Sequence, residues 1–419
     1  MSADNKCKNA CPYESLRQLV DDLAVQSCPP RWTTLFDQVM AKYADTGCPP
    51  ADDKALCRIN EQYNLFDASW KTVLHGARLI RGNKPLACYL LLLQEAMVDR
   101  ASFYSEINEI EMPEAPSSSD SLGYDLLPLY LLPHTVPATV ADWQAHHIPR
   151  DIMQRSLKSY ELSLMLHQRR QGKVGYSLHD LRWNLGFADG RLLRIGRFNI
   201  EIKPSFAGRI QVFRHNDNQI QTLVDNLKLH KSGFAHGSPG YTDESGSFTA
   251  CVSEKAEAWQ GYPVLPDGRA AATEIKLPKN EWQLVLRWGD PVLSVHIPPD
   301  ESLAPAICEQ SYREADVLIR TCYPDYQAKA FVCHSWLMDP QLSILLKPES
   351  NIVAFQQKYT VFPAPSSGKA IFRFVFEKQY DRLEDLPETT SLERALKQHY
   401  LAGKYIYEPG GFFFMPVNK

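Results

Sequence analysis

Two stretches of the chain carry the residue types that acid–base and anion chemistry need. In "AKAFVCHSWLMDPQL", Cys333, His334, Ser335 and Trp336 stand together at the end of an apolar, β-favouring run. Strand alternation puts His334 and Trp336 on one face and Cys333 and Ser335 on the other. His334 can act as a general base, because an imidazole titrates near neutrality. The competing reading is a hydrogen-bonded structural histidine at a strand end.

The second stretch is "PVLSVHIPPDESLAPAICEQSYREA". A β-favouring run stops at His296, two prolines follow, and a helical pattern begins near Leu303 and runs to Cys322. A helix N-terminus leaves backbone N–H groups unpaired and carries a partial positive charge, so this junction is a natural anion site. Ser302 fits the N-cap and Pro305 the first turn. Asp300 and Glu301 put negative charge where a phosphate would sit, and they could satisfy the helix dipole themselves. Ile307, Ser311, Ala315, Leu318 and Cys322 form one stripe, whose small members would let the helix pack close to a sheet.

Other chemistries find no pattern. The chain has no G-x-S-x-G elbow, no H-E-x-x-H and no glycine-rich nucleotide loop. A metal hydrolase built from His146, His147, Cys333 and His334 lacks ligand spacing, so no metal is expected. Ten cysteines occur without a C-x-x-C pair, which favours reduced thiols; a zinc site using Cys7, Cys11 and a later ligand is the alternative. "HIP-x-D" occurs at both His147 and His296, but the first copy leads into a helix and the second ends a strand. The echo is not a repeat.

The elements that must position these residues fall into two regions. At 419 residues the chain is too long for one ordinary core. Hydrophobic content of 44% with 22% charged residues suits a globular protein. The net charge of -4, from 45 basic and 49 acidic residues, argues against nucleic-acid or membrane-surface partners. The N-terminus "MSADNKCKNACPYES" lacks the apolar core of a secretory signal and "LACYLLLL" is too short to span a bilayer, so a cytoplasmic location is expected.

From Tyr13 to Ile110 the periodicity is helical, with Leu16, Leu19, Val20 and Leu23 on one stripe and "CPP" triplets at Cys28 and Cys48 read as helix stops. "CYLLLLQEAMVDRASFYSEI" is apolar almost all round, as in a buried helix. "EMPEAPSSSDS" has linker composition, and the proline-rich "YDLLPLYLLPHTVPATV" reads as a non-helical segment lying along the surface of a neighbouring domain. "HIPRDIMQRSLKSYELSLMLHQRRQGK" resumes helical spacing through Ile152, Leu157, Leu162 and Leu166. After Gly175 short β-favouring runs dominate: "GRLLRIGRFNIEI", "GRIQVFRH", "QIQTLVDNLKL", "PVLSVHI", "KAFVCHSWL", "YTVFPAP" and "AIFRFVFE". Two helices interrupt them, Leu303 to Cys322 and Pro340 to Tyr359. The expected fold class is α+β.

Several blocks, in order, resemble a known family. "HIPRDIMQRSLKSYE", "GRLLRIGRFNIE", "VLSVHIPPDESLAPAICEQSYREA", "FVCHSWLMDPQL", "ESNIVAFQQKY" and "TTSLERALKQHYLAGK" look like those of bacterial acyltransferase-domain proteins. That family has a helical N-acyltransferase N-terminal domain and a GNAT-like mixed-sheet C-terminal domain. The resemblance implies a helical N-acyltransferase N-terminal-like domain over 1–140, a helical connection over 141–190 and a GNAT-like C-terminal domain over 191–419.

The resemblance further implies an N-acyltransferase moving an acyl group from a CoA thioester to an amine of a small molecule or peptide, with acyl-CoA as co-substrate. A splayed strand would hold the pantetheine arm, with the backbone of Val295 to Ile297 and the turn at Ser302 as donor-binding elements. His296 and His334 become candidate bases. Asn351 and Ala354 match an Asn-x-x-Ala pattern whose seventh position often holds an acidic tyrosine; that position is Lys358, so the candidate acid is Tyr359. The "HIPPDESLAP" turn lacks the family's basic, glycine-rich character. That departure favours a rival reading, a non-catalytic ligand-binding or regulatory module on the same scaffold.

Overall fold

The computed structural model describes residues 13–43, 47–117, 119–378 and 380–416. Cys7 and Cys11 lie outside them. The described cysteines, Cys28 to Cys333, are free thiols. The chain divides into two compact units, Met1–Leu193 and Arg194–Lys419. Residues 141–190 fall inside the first unit.

The first unit is helical, and its centre is the Lys84–Ala96 helix, buried at Leu86, Ala96 and every position from Cys88 to Leu93. Asn83 caps it and Pro85 sits in its first turn, where a missing N–H costs nothing. The first "CPP" triplet does not stop a helix. The first helix, Leu16–Asp22, already ends at Leu23, and Ala24 turns left-handed at φ 54°. Pro29 and Pro30 instead accept bonds from Trp32 and Thr33 at the next helix start, while Pro49 opens a 3-10 turn.

The proline-rich segment is core rather than a surface-lying stretch. It forms the 3-10 turns Leu127–Leu131 and Pro133–Thr135, with Leu126 to Leu132 buried in this unit's own core. Its prolines occupy turn starts, which 3-10 geometry tolerates. The Tyr130 hydroxyl donates to Val73 O at 2.6 Å, and Gly76 leaves room for it. Among the described residues no helix is long and apolar enough to cross a membrane.

The second unit is built on a six-stranded mixed sheet. Its order is Leu192–Ile195, Phe198–Lys203, Val292–His296, Ala330–His334, Gly410–Phe414 and Thr360–Phe362. Residues 210–287 form smaller antiparallel sheets inserted between the second and third of these strands. Ile210, Val212 and Leu286 from this region, with Phe206 just before it, pack with Val292, Val332 and Phe412 of the main sheet, so they share one face of it.

The Pro305–Cys322 helix covers the other face through Cys308, Ser311, Tyr312, Ala315, Ile319 and Cys322. This buried stripe is rotated from the expected one: Ile307 is exposed. The expected Pro340–Tyr359 helix is two short ones, Leu342–Leu345 and Asn351–Gln357, separated at Pro348. "AIFRFVFE" is helical over Ala370–Phe374 rather than a strand. There Glu408 accepts from the Ser367 and Ala370 amides at 2.8 and 2.9 Å, satisfying N–H groups that a strand would need to pair.

Candidate active site

Val292–His296 and Ala330–His334 lie side by side and parallel, and they share only two rungs, Leu293 with Phe331 and Ser294 with Val332. Each strand continues beyond those rungs on its outer side. Val295 and His296 stay paired with Ile200 and Asn199, while Cys333 and His334 stay paired with Gly411 and Gly410. The two strands therefore part after Ser294 and Val332, forming a fork inside an otherwise continuous sheet. Backbone groups facing a parted ladder need other partners, and an extended ligand can supply them.

Register and alternation fix what each face of the fork carries. Residues opposite each other point the same way. His296, two beyond Ser294, and His334, two beyond Val332, therefore project on the inserted-sheet face. Glu201 pairs opposite Ser294 and lies diagonal to His296. The His296 Nε2 stands 3.1 Å from Glu201 Oε2, with the imidazole 34% exposed. His334 is exposed at the other prong; desolvation lowers its pKa, with Glu408 acting against that shift and Lys203 with it.

The helix face is aromatic. Phe198, Phe331 and Phe413 from three strands surround Tyr312 with ring centroids 4.9, 5.4 and 4.9 Å away. The Tyr312 and Tyr359 hydroxyls share a 2.8 Å hydrogen bond. Burial raises Tyr359 well above 10, and its neighbour Tyr312 adds to that rise. The Cys333 thiol, buried on this face, is pushed up to about 12 by desolvation. Cys333 is thus no thiolate nucleophile. Tyr359 and the two histidines lie on opposite faces of the sheet, with the fork between them.

At the open end the chain turns through Ile297–Ala304 into the Pro305–Cys322 helix. The helix starts at Pro305, with Ala304 as a cap residue that offers no side-chain bond. Ser302 is therefore not the N-cap. Its hydroxyl accepts from the Ala304 amide at 3.2 Å and from Asn351 Nδ2 at 3.3 Å, joining the turn to the Asn351–Gln357 helix. Arg197 Nε donates to Ser302 O at 3.0 Å. Arg194 Nη2 donates to Asp300 Oδ1 at 3.1 Å and Glu301 Oε1 at 3.0 Å.

Reading the turn by itself missed these two arginines. They come from the hairpin turn at Gly196, more than a hundred residues earlier. Gly196 has φ 52°, and an added Cβ would collide with Ser311 Oγ. The Arg197 amide donates to that same oxygen at 2.8 Å. The run "RIGR" held the signal, as a tight turn flanked by two bases.

The GNAT-like C-terminal domain family matches residues 192–413, more than half of the chain. The chain belongs to this family. The N-acyltransferase N-terminal domain family matches residues 77–190, which agrees with the two-part organisation. No curated protein matches the sequence.

Solved structures show the same fold across nearly the whole length. An acyltransferase in complex with decanoyl-CoA and teicoplanin is 18% identical, with TM-score 0.62, over 96% of this chain and 99% of that one. An acyltransferase in complex with CoA and 10C-teicoplanin gives the same identity, TM-score and coverage. An acyltransferase mutant in complex with octanoyl-CoA is 18% identical, with TM-score 0.61 over the same shares. The mixed helical and sheet architecture is thus the GNAT-like fold with a helical N-terminal domain.

Beside the His334 prong, a cavity of about 30 Å³ is lined by Phe234, Gly268, Asp339, Val361, Tyr407 and Pro409. That is room for about one water, far short of the several hundred Å³ of a typical small-molecule site. No group of three or more His, Cys, Asp or Glu able to hold a metal occurs among the described residues.

Proposed function

We propose that the chain is an acyl-CoA-dependent N-acyltransferase whose thioester lies in the fork between Val292–His296 and Ala330–His334. The observation that carries this reading is the end of the parallel ladder at Ser294 and Val332, with an ionisable residue on each prong. The fold-sharing acyltransferases in complex with CoA, octanoyl-CoA and decanoyl-CoA support the donor class. Those in complex with teicoplanin and its 10C form support a peptide-like amine as acceptor class.

In this reading the backbone of Val295 to Ile297 pairs with the pantetheine amides, and the turn at Ser302 lies beside the donor's anionic end. The acceptor amine approaches on the histidine face. His296, or His334 on the other prong, takes the proton as nitrogen attacks the thioester carbonyl carbon; the C–S bond then breaks and the thiolate leaves. Binding both partners in line supplies much of the rate, about 7–11 kcal/mol, whereas a base adds about 10²–10⁴-fold. Tyr359 is held in its protonated form on the helix face, so it is the candidate that can return a proton to sulfur.

The test is thiol release from octanoyl-CoA in the presence of primary amines, with melting temperature followed in parallel. Acyl-CoA at about 100 times its Kd adds about 2.7 kcal/mol of stability. Turnover with a melting shift is the expected result. A melting shift without turnover for any amine makes the chain a binding module, and no shift with any CoA ester ends the donor assignment.

A further inference from the structure

This inference rests on the acyl-CoA reading above. We propose that Arg197, together with Arg194, is the ligand of the donor's diphosphate, and that Asp300 and Glu301 occupy its place in the unliganded protein. The bases missing from the turn are then supplied by the hairpin.

Arg197 is 2% exposed. Its Nε is spent on Ser302 O, and its Nη1 is buried with no hydrogen-bond partner. A guanidinium carries five donors, and a buried unpaired one costs free energy that a structural arginine would avoid. The hairpin cannot drift to relieve this, since the Arg197 amide is tied to Ser311 within the helix. The helix adds its own positive end, and Ala304 provides no side-chain cap for its first N–H groups. Two guanidinium groups and one helix N-terminus thus converge on the turn.

The counter-charges come from the turn itself. The Arg194 side chain is 7% exposed, while those of Asp300 and Glu301 are 36% and 50% exposed. Both carboxylates bond the same nitrogen, Arg194 Nη2. Exposed carboxylates rehydrate cheaply when displaced, and a diphosphate offers oxygens suited to a guanidinium fork. On donor binding, Arg194 exchanges carboxylate oxygens for phosphate oxygens, and the turn opens to water. Its negative charge then acts against affinity.

The test titrates wild type, the double variant Asp300→Asn with Glu301→Gln, and Arg197→Gln with CoA and with inorganic diphosphate by calorimetry at low salt. Each is also assayed with an acyl-pantetheine thioester, which lacks the diphosphate. The neutralised turn is expected to bind both anions about tenfold tighter, and Arg197→Gln about tenfold weaker, a change of about 1.4 kcal/mol each way. Turnover of the acyl-pantetheine is expected to stay unchanged in the neutralised turn. A neutralised turn that binds both anions no better than wild type overturns the proposal. That variant alters only surface-facing side chains, so it decides the matter even if Arg197→Gln fails to fold. Diphosphate binding that follows the pattern while CoA binds nowhere leaves the anion ligands standing and overturns the acyl-CoA reading instead.

Discussion

Ser294 faces Val332 in the last rung shared by the two parallel strands, and from there each strand keeps only its outer neighbour. That rung fixes both the gap and its chemistry. It sets His296 and His334 on one face, and Tyr312 and Tyr359 on the other.

His296→Ala is expected to lower kcat by about 10²–10⁴-fold if it is the base, with little change in the Kd for acyl-CoA. His334→Ala is the matched control from the other prong. Steady-state kinetics at saturating donor tells them apart, and unchanged turnover in either variant removes that residue from the mechanism.

Glu201→Gln is expected to lower kcat while leaving the donor KM alone. The carboxylate lies 3.1 Å from the imidazole Nε2 and orients the ring toward the fork, which an amide does less firmly. Equal losses in kcat and in melting temperature, with no recovery in Glu201→Asp, would instead make the pair structural.

Partial desolvation of the imidazole, though the residue as a whole is exposed, moves His334 below its ordinary value of 6.5. Its folded pKa is therefore depressed relative to the unfolded chain. The stability tied to its neutral form is present above 6.5 and fades as pH falls through the lower folded value. Proton NMR of the imidazole should give a midpoint below 6.5, and a midpoint at or above 6.5 contradicts the assigned surroundings.

Tyr359→Phe removes the 2.8 Å bond to Tyr312 and leaves a buried hydroxyl unpaired, a loss of about 1–3 kcal/mol readable as a lower melting temperature. The same pair predicts an alkaline limit. Both phenols sit above 10 in the folded chain, so the folded state is fully stable below 10 and loses stability as pH rises past it. Absorbance at the tyrosinate band should show these two ionising only as the chain unfolds. If Tyr359→Phe leaves kcat unchanged, Tyr359 is a packing residue and not the acid.

Much of this architecture could be read along the chain because its signals are local. The β-favouring run ending at His296, the helix after Pro305 and the strand ending at His334 each announce themselves within a few residues. The missed features depend on distant partners. The two glycines of Gly410–Phe414 conceal a central strand whose place is fixed by its neighbours Ala330–His334 and Thr360–Phe362. "AIFRFVFE" has strand composition, yet Glu408, far along the chain, caps it as a helix. The helix Ser391–Leu401 was legible in principle, since Thr390 and Glu393 form a capping box.

The candidate site divides the same way. His296, His334 and Tyr359 are marked by type and by position at element ends. Glu201 could be found only once strand register was known, and Arg194 and Arg197 only once the Gly196 hairpin was seen against Ser311. Side chains that act across a sheet or between elements leave little trace in local spacing.

A crystal structure of the protein with a non-reactive thioether analogue of octanoyl-CoA shows whether the fork holds the donor. Pantetheine amides are expected to bond to the backbone of Val295 to Ile297, with the sulfur between the His296 and His334 prongs. An analogue bound elsewhere, with Val295 and Cys333 drawn together into a closed ladder, would contradict that placement.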